Sequence, residues 1–154
     1  MSKLIEDLNE PAERRARSVL LAAHAAGLSL LVTSTLRTED EQVALFSQGR
    51  AQLVVVNLLR RRAGLKPIGD GENAHTVTQC DGVNAKSKHQ GGRAVDVVIL
   101  DKFGNPIWIM GKAIAEYKQL GVIAKANGFN WGGDFTPLDA VTGIGIDPFH
   151  LEVS

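Results

Sequence analysis

The run SKHQGGRAVDVVIL, residues 87–100, sets His89, two glycines and Asp96 ahead of and inside a hydrophobic strand. A carboxylate between Val95 and Val97 is costly in an apolar layer unless it meets a cation, several donors or a metal ion. His89 is the nearest partner in sequence, and Gly91-Gly92 lets the chain turn back between the two. A second cluster lies in IDPFHLEV, residues 146–153, which carries Asp147, His150 and Glu152. In a strand, positions 150 and 152 share one face.

His89, Asp96 and His150 together supply two imidazoles and one carboxylate. Three such ligands suit zinc and leave a fourth position open, as catalytic rather than structural zinc sites do. The ion would also compensate the buried charge of Asp96. Spacing alone leaves the site open, because two histidines far apart in sequence often coincide by chance. Of the other histidines, His24 falls within an amphipathic helix and reads as a structural or surface residue. His75 sits in a long loop and reads as solvent-exposed, with substrate contact as the alternative. Glu152 either orients His150 or is a plain surface glutamate.

The elements that must position these residues follow from periodicity and punctuation. Residues 11–26 predict an opening helix, with Pro11 near its start and Gly27 after its end. LSLLVTSTL (28–36) predicts a buried strand. Thr38 and Glu41 fit a capping box that opens a helix through Ala44-Leu45-Phe46, stopped by Gly49. A third helix covers about 51–63 and ends at Gly64, with Arg60-Arg61-Arg62 as its solvated end. Residues 64–86 read as a long loop with at most a short strand at 76–78, and loops of that length are usually functional or mobile. After a strand at 93–100 and a turn at 103–106, GKAIAEYKQLGVIAKAN (111–127) predicts an amphipathic helix. FNW (129–131), a glycine-rich loop and a strand near 149–153 follow. The expected class is α+β, helices packed on a small, mainly antiparallel sheet that carries an open zinc site.

The chain has 154 residues, 44% hydrophobic and 22% charged, a length that fits one domain spanning 1–154 with a single core and no separate wall-binding domain. Acidic and basic residues balance at 17 each, which argues against wholesale binding of nucleic acid or an anionic membrane. Cys80 is the single cysteine, so an intramolecular disulfide and a cysteine zinc cluster are excluded. No stretch approaches the ~18 apolar residues that span a bilayer. The first residues, MSKLIEDLNEPAERRARS, carry early acids and no apolar segment, so they do not read as a secretory signal.

Ser87-x-His89-x-x-Gly92-x-Ala94-x-Asp96 resembles the SxHxxGxAxD signature of the zinc peptidoglycan peptidases. That family includes VanY-type D-alanyl-D-alanine carboxypeptidases and phage L-alanyl-D-glutamate endolysins. Asp147-x-x-His150-x-Glu152 resembles its closing motif, STLRTEDEQVALFSQGR (34–50) its serine-x-x-arginine segment, and GFNWGGDF (128–135) the stretch before the close. The four blocks run in the family's order from residue 34 to 152. Two features depart from it: Phe149, not proline, precedes His150, and the 131–147 segment is long and offers Asp134 and Asp139 as rival acids.

The resemblance implies His89, Asp96 and His150 as zinc ligands and Asp147 as general base. Arg37 would position substrate and stabilise the oxyanion, and Ser87 and Gln42 would bind substrate. It implies a zinc metallopeptidase of the peptidoglycan stem peptide. Because the sequence shows no secretory signal, membrane anchor or disulfide, the expected reaction is cutting L-alanyl-D-glutamate as a phage endolysin. Removal of terminal D-alanine is the alternative, and a non-catalytic wall-binding or phage structural module is the reading of another class. The endolysin reading expects a monomer without nucleic-acid partners or membrane insertion. It would be held in the host cytoplasm until a holin releases it to the periplasm or wall.

Overall fold

A computed structural model describes residues 1–108 and 110–154. Helix α1 (Ala12–Ala25) starts after Pro11 and buries Ala12, Ala16, Val19 and Ala23, a spacing that lines one face of a helix. Strand β1 (Leu30–Ser34) follows. Helix α2 (Glu39–Ser47) opens with the expected capping box: Thr38 Oγ1 accepts from Glu41 N (3.2 Å) and Glu41 Oε2 accepts from Thr38 N (2.9 Å). Helix α3 (Leu53–Arg62) packs on α2, and its basic end is exposed at Arg61 and Arg62.

The long connection after α3 contains a one-turn helix, α4 (Asp70–Asn73), and has no strand at 76–78. Its backbone is tied down instead by side chains. Gln48 Nε2 donates to Glu72 O, Asn73 Nδ2 to Ala51 O, and Gln42 Nε2 to Cys80 O. The segment therefore has a fixed position without joining the sheet.

Strands β2 (Ala94–Ile99), β3 (Asn130–Trp131) and β4 (His150–Glu152) complete a four-stranded sheet of order β1-β2-β4-β3, antiparallel throughout. Helix α5 (Ile114–Ala126) lies between β2 and β3 in sequence and contacts α1. The architecture is α+β. Val95, Val97 and Ile99 of β2 alternate inward with Leu151 and Val153, and they meet Val19 of α1 and Tyr117 and Leu120 of α5 in one apolar cluster. Alternation leaves Asp96, His150 and Glu152 on the opposite face of the same strands. The core residues thus dictate which side of the sheet the polar residues occupy.

Candidate active site

Register brings two of the expected ligands together. Asp96 pairs with Ser34 of β1 on one side and with His150 of β4 on the other. Directly opposed residues of antiparallel strands hold their side chains about 5 Å apart on one face. His89 arrives from a 3-10 turn (Lys88–Gly91) just before β2, which Ser87 caps: its Oγ accepts from His89 N (3.3 Å), and its N–H donates to Gln90 Oε1 (2.9 Å). Gly92, at φ +63°, ends the turn in the left-handed region and presses on Asn9, whose amide nitrogen would sit 3.0 Å from an added Cβ. The reversal folds His89 over Asp96.

His89 Nε2 lies 3.2 Å and His150 Nδ1 3.0 Å from Asp96 Oδ1, and one ligand atom from each residue falls within 4.8 Å of the others. A tetrahedral zinc with bonds near 2.0–2.1 Å sets its ligand atoms about 3.3 Å apart, so the triangle fits the ion. The outer nitrogens decide the tautomers. His89 Nδ1 donates to the Thr35 carbonyl oxygen (2.7 Å), and His150 Nε2 donates to Glu152 Oε2 (3.1 Å). Each imidazole therefore turns a ring nitrogen toward Asp96, the arrangement by which outer hydrogen bonds orient metal-binding histidines. Glu152, open in the sequence reading, touches His150.

Burial alone would push the Asp96 carboxyl up, but hydrogen bonds from His150 and His89, and their charge, hold it well below the ordinary carboxylate range. Burial opposes the charging of His150. Its bonds to Asp96 and Glu152 win and raise it to about 9. The bond to His150 lowers Glu152 against its burial, with help from Lys88 and Arg93.

Arg37 follows β1 and runs beneath the triangle, its Nη2 3.7 Å from Asp96 Oδ2. Nη1 donates to Gln42 Oε1 (2.8 Å), while Nε is buried without a partner. Burial lowers the Arg37 pKa, against the raising influence of Asp96, Glu41 and Asp147. Gln42 does not present itself to substrate as expected. It is fully buried, and its amide nitrogen donates to Thr78 Oγ1 (3.0 Å) and Cys80 O (2.7 Å) while its oxygen holds Arg37. It braces the arginine and pins the 76–80 segment.

Asp147 lines the cleft with the triangle, Arg37 and Ser87, a hollow of about 640 Å³. Burial and the charge of Asp96 raise its pKa, opposed by His150, His89 and Arg37. The rival acids are engaged elsewhere. Asp134 accepts from Lys125 Nζ (2.8 Å) at the surface, and Asp139 Oδ1 accepts from the amides of Val141 and Thr142 in its own exposed loop. His75 and His24 are exposed and outside the cleft.

Several contributors lay beyond the motifs. Thr35 acts through its carbonyl, which no side-chain pattern announces. Thr76 to Cys80 form a cleft wall, although they belong to no regular element. Trp131 Nε1 donates to Pro148 O (2.9 Å), fixing the segment between Asp147 and His150. Gly132 lets that segment approach so closely that an added Cβ would lie 2.1 Å from Asp147 O. The Trp-Gly-Gly spelling of GFNWGGDF was the available signal for the last two.

A model of the VanY D-alanyl-D-alanine carboxypeptidase family matches residues 5–153. The chain belongs to this family. It is 28% identical over 136 residues to the peptidoglycan L-alanyl-D-glutamate endopeptidase CwlK of Bacillus subtilis, covering 84% of this chain and 67% of that protein. Among solved structures it is similar to the L-Ala D-Glu endopeptidase ChiX of Serratia marcescens: TM-score 0.56, 18% identity, 97% of this chain and 83% of that one. It is also similar to a mutant of the vancomycin resistance D,D-pentapeptidase VanY solved with Zn(II). There the TM-score is 0.56 at 21% identity, over 95% of this chain and 72% of that one. At these identities the structural likeness speaks for the shared fold.

Proposed function

We propose that this member of the family is a zinc-dependent peptidoglycan peptidase that hydrolyses the L-alanyl-D-glutamate bond of the stem peptide. The observation that carries the reading is the His89–Asp96–His150 triangle, with tautomers set for a metal, opening into the cleft that also holds Asp147 and Arg37. A zinc ion bound there supplies Lewis acidity, which polarises a carbonyl and acidifies water. Thr35 and Glu152 hold the two imidazoles in orientation. Asp147, with its raised pKa, accepts the proton of the attacking water and returns it to the leaving amine. Arg37, braced by Gln42, directs a permanent charge at the oxygen on which negative charge develops. Ser87 lines the cleft beside His89 and contacts the substrate backbone.

The choice of bond is supported by the resemblance to CwlK and ChiX, both named for L-alanyl-D-glutamate cleavage. The family's own description favours removal of D-alanine instead. Sacculi digested with the zinc-loaded and the chelated protein, followed by mass spectrometry, separate the two. New N-terminal D-glutamate, with L-alanine left on the muramic acid, is expected. Free D-alanine as the main product would make the chain a carboxypeptidase, and no zinc-dependent amine release would make it a binding module.

We further propose a lysis role of the phage type, with the protein held in the host cytoplasm until a holin opens the membrane. Support comes from the likeness of its four blocks to the endolysins. Expression without and with a holin tests it, and lysis that ignores the holin would overturn it.

A further inference from the structure

The cleft does not end at Arg37. Beyond it opens a second groove of about 580 Å³, lined by Arg37, Lys86, Ser87, Thr38, Glu39 and Arg93 among others. Arg37, Lys86 and Ser87 line both hollows, so an extended ligand seated at the triangle can continue into the groove. The charge balance differs between them. In the cleft, Asp96, Asp147 and Glu152 offset Arg37, Lys86 and Lys88, whereas the groove sets three cationic side chains against Glu39. Lys86 and Arg93 are exposed, and among the described residues neither has an ion-pair partner. Arg37 lines both hollows, and its Nε is a buried donor with no acceptor.

We propose that this groove is an anion subsite, in which Lys86 and Arg93 select a substrate carboxylate lying outside the scissile bond. The inference rests on the peptidase reading above and names the chemistry that reading leaves open. Stem-peptide residues joined through side chains keep free carboxylates next to the bonds that link them. A flexible ammonium and a forked guanidinium on one rim can pair with such a group as the chain extends past Arg37. Both side chains are exposed, so the pairing sets affinity and preference rather than the rate of chemistry.

The test uses defined stem peptides with free carboxylates and matched peptides amidated at the D-glutamate or at the following residue. Zinc-loaded wild type and the Lys86→Gln/Arg93→Gln double variant are compared in KM, kcat and calorimetric binding. In wild type, one of the two amidations raises KM about tenfold and leaves kcat within about twofold, and added salt shrinks the difference. In the double variant, acid and amide peptides give the same KM. Equal KM for acid and amide in wild type, or a preference that survives in the double variant, overturns the subsite. Absence of all hydrolysis overturns the peptidase reading instead. Binding of the same peptides then still decides the subsite, because carboxylate-dependent affinity lost in the double variant supports it and its absence refutes it.

Discussion

Gly132 is where the geometry of the site is most exposed to a single added methyl group. Its φ is not in the left-handed region, so alanine is conformationally allowed, but the new Cβ would stand 2.1 Å from Asp147 O and 3.1 Å from His150 Cβ. Before the first contact becomes tolerable, the segment carrying Asp147 and His150 must retreat by roughly 1 Å. That segment cannot slide freely. Trp131 Nε1 holds Pro148 O, and His150 N donates to Asp147 O (3.1 Å). Gly132→Ala should therefore lose about 10²-fold in kcat/KM, the usual effect of misplacing a catalytic group by 1 Å. Overpacking should cost about 1–3 kcal/mol of stability, or roughly 2–12 °C in Tm for a chain of this size. Turnover of a defined stem peptide at saturating zinc, with calorimetric Tm on the same samples, reads both effects. Gly71→Ala in α4, where an added Cβ meets nothing within 4 Å, is the silent control. If Gly132→Ala kept turnover within twofold and an unchanged Tm, the idea that Gly132 sets the position of Asp147 and His150 would fail.

Replacing His89, Asp96 or His150 by alanine should abolish zinc binding and hydrolysis, and full zinc occupancy in all three variants by elemental analysis would sink the ligand set. Asp147→Asn should keep the zinc yet lose ~10²–10⁴-fold in turnover. Because the native carboxyl has a raised pKa, the folded state binds that proton more tightly than the unfolded one. The group therefore weakens the zinc-free fold at neutral pH, and the same variant should melt higher there, with the gain vanishing in acid. Glu152→Ala should leave the zinc site assembled but weaken its affinity ~10–100-fold, measured by competition with a chelator. With His150 at about 9 in the zinc-free chain, zinc binding at pH 7.5 should release close to one proton, seen by calorimetry in two buffers of different ionisation enthalpy. No proton release would contradict the assigned His150–Asp96–Glu152 bonding.

How much of this was legible in the sequence depends on the range of the forces involved. Helices α1, α2, α3 and α5 were readable because each announces itself locally, through apolar spacing, the Thr38–Glu41 box and terminal glycines. The strands ran shorter than the apolar stretches that predicted them: 28–36 shrank to Leu30–Ser34, and 149–153 to His150–Glu152. Pairing, not propensity, ends a strand, and the partner's length is written elsewhere in the chain. The 76–78 segment has strand-like residues but pairs with none of the sheet's strands. Gln42 was misjudged for a related reason. The family resemblance of the 34–50 segment marked it as near the site, but whether an amide near a site faces the cleft or the protein depends on what the far loop brings to it.

Asp96 shows the same division from the other side. Its position inside a valine-rich strand made it conspicuous before any partner was known, since no core tolerates an unpaired carboxylate. What the strand could not reveal is how the charge is held. It takes a β2–β4 register that sets His150 directly opposite, a turn at Gly92 that returns His89, and an arginine braced by Gln42 3.7 Å from the second oxygen. Each of those comes from a different stretch of chain. The buried charge is therefore a folding problem with a functional solution: the arrangement that makes Asp96 tolerable in the sheet is the one that presents three ligand atoms to a metal. A variant that keeps the charge but removes the imidazoles should leave the sheet carrying an expensive carboxylate. His89→Ala/His150→Ala is therefore expected to melt well below His89→Ala/Asp96→Asn/His150→Ala in the absence of zinc, and equal melting temperatures would show that Arg37 alone compensates the charge.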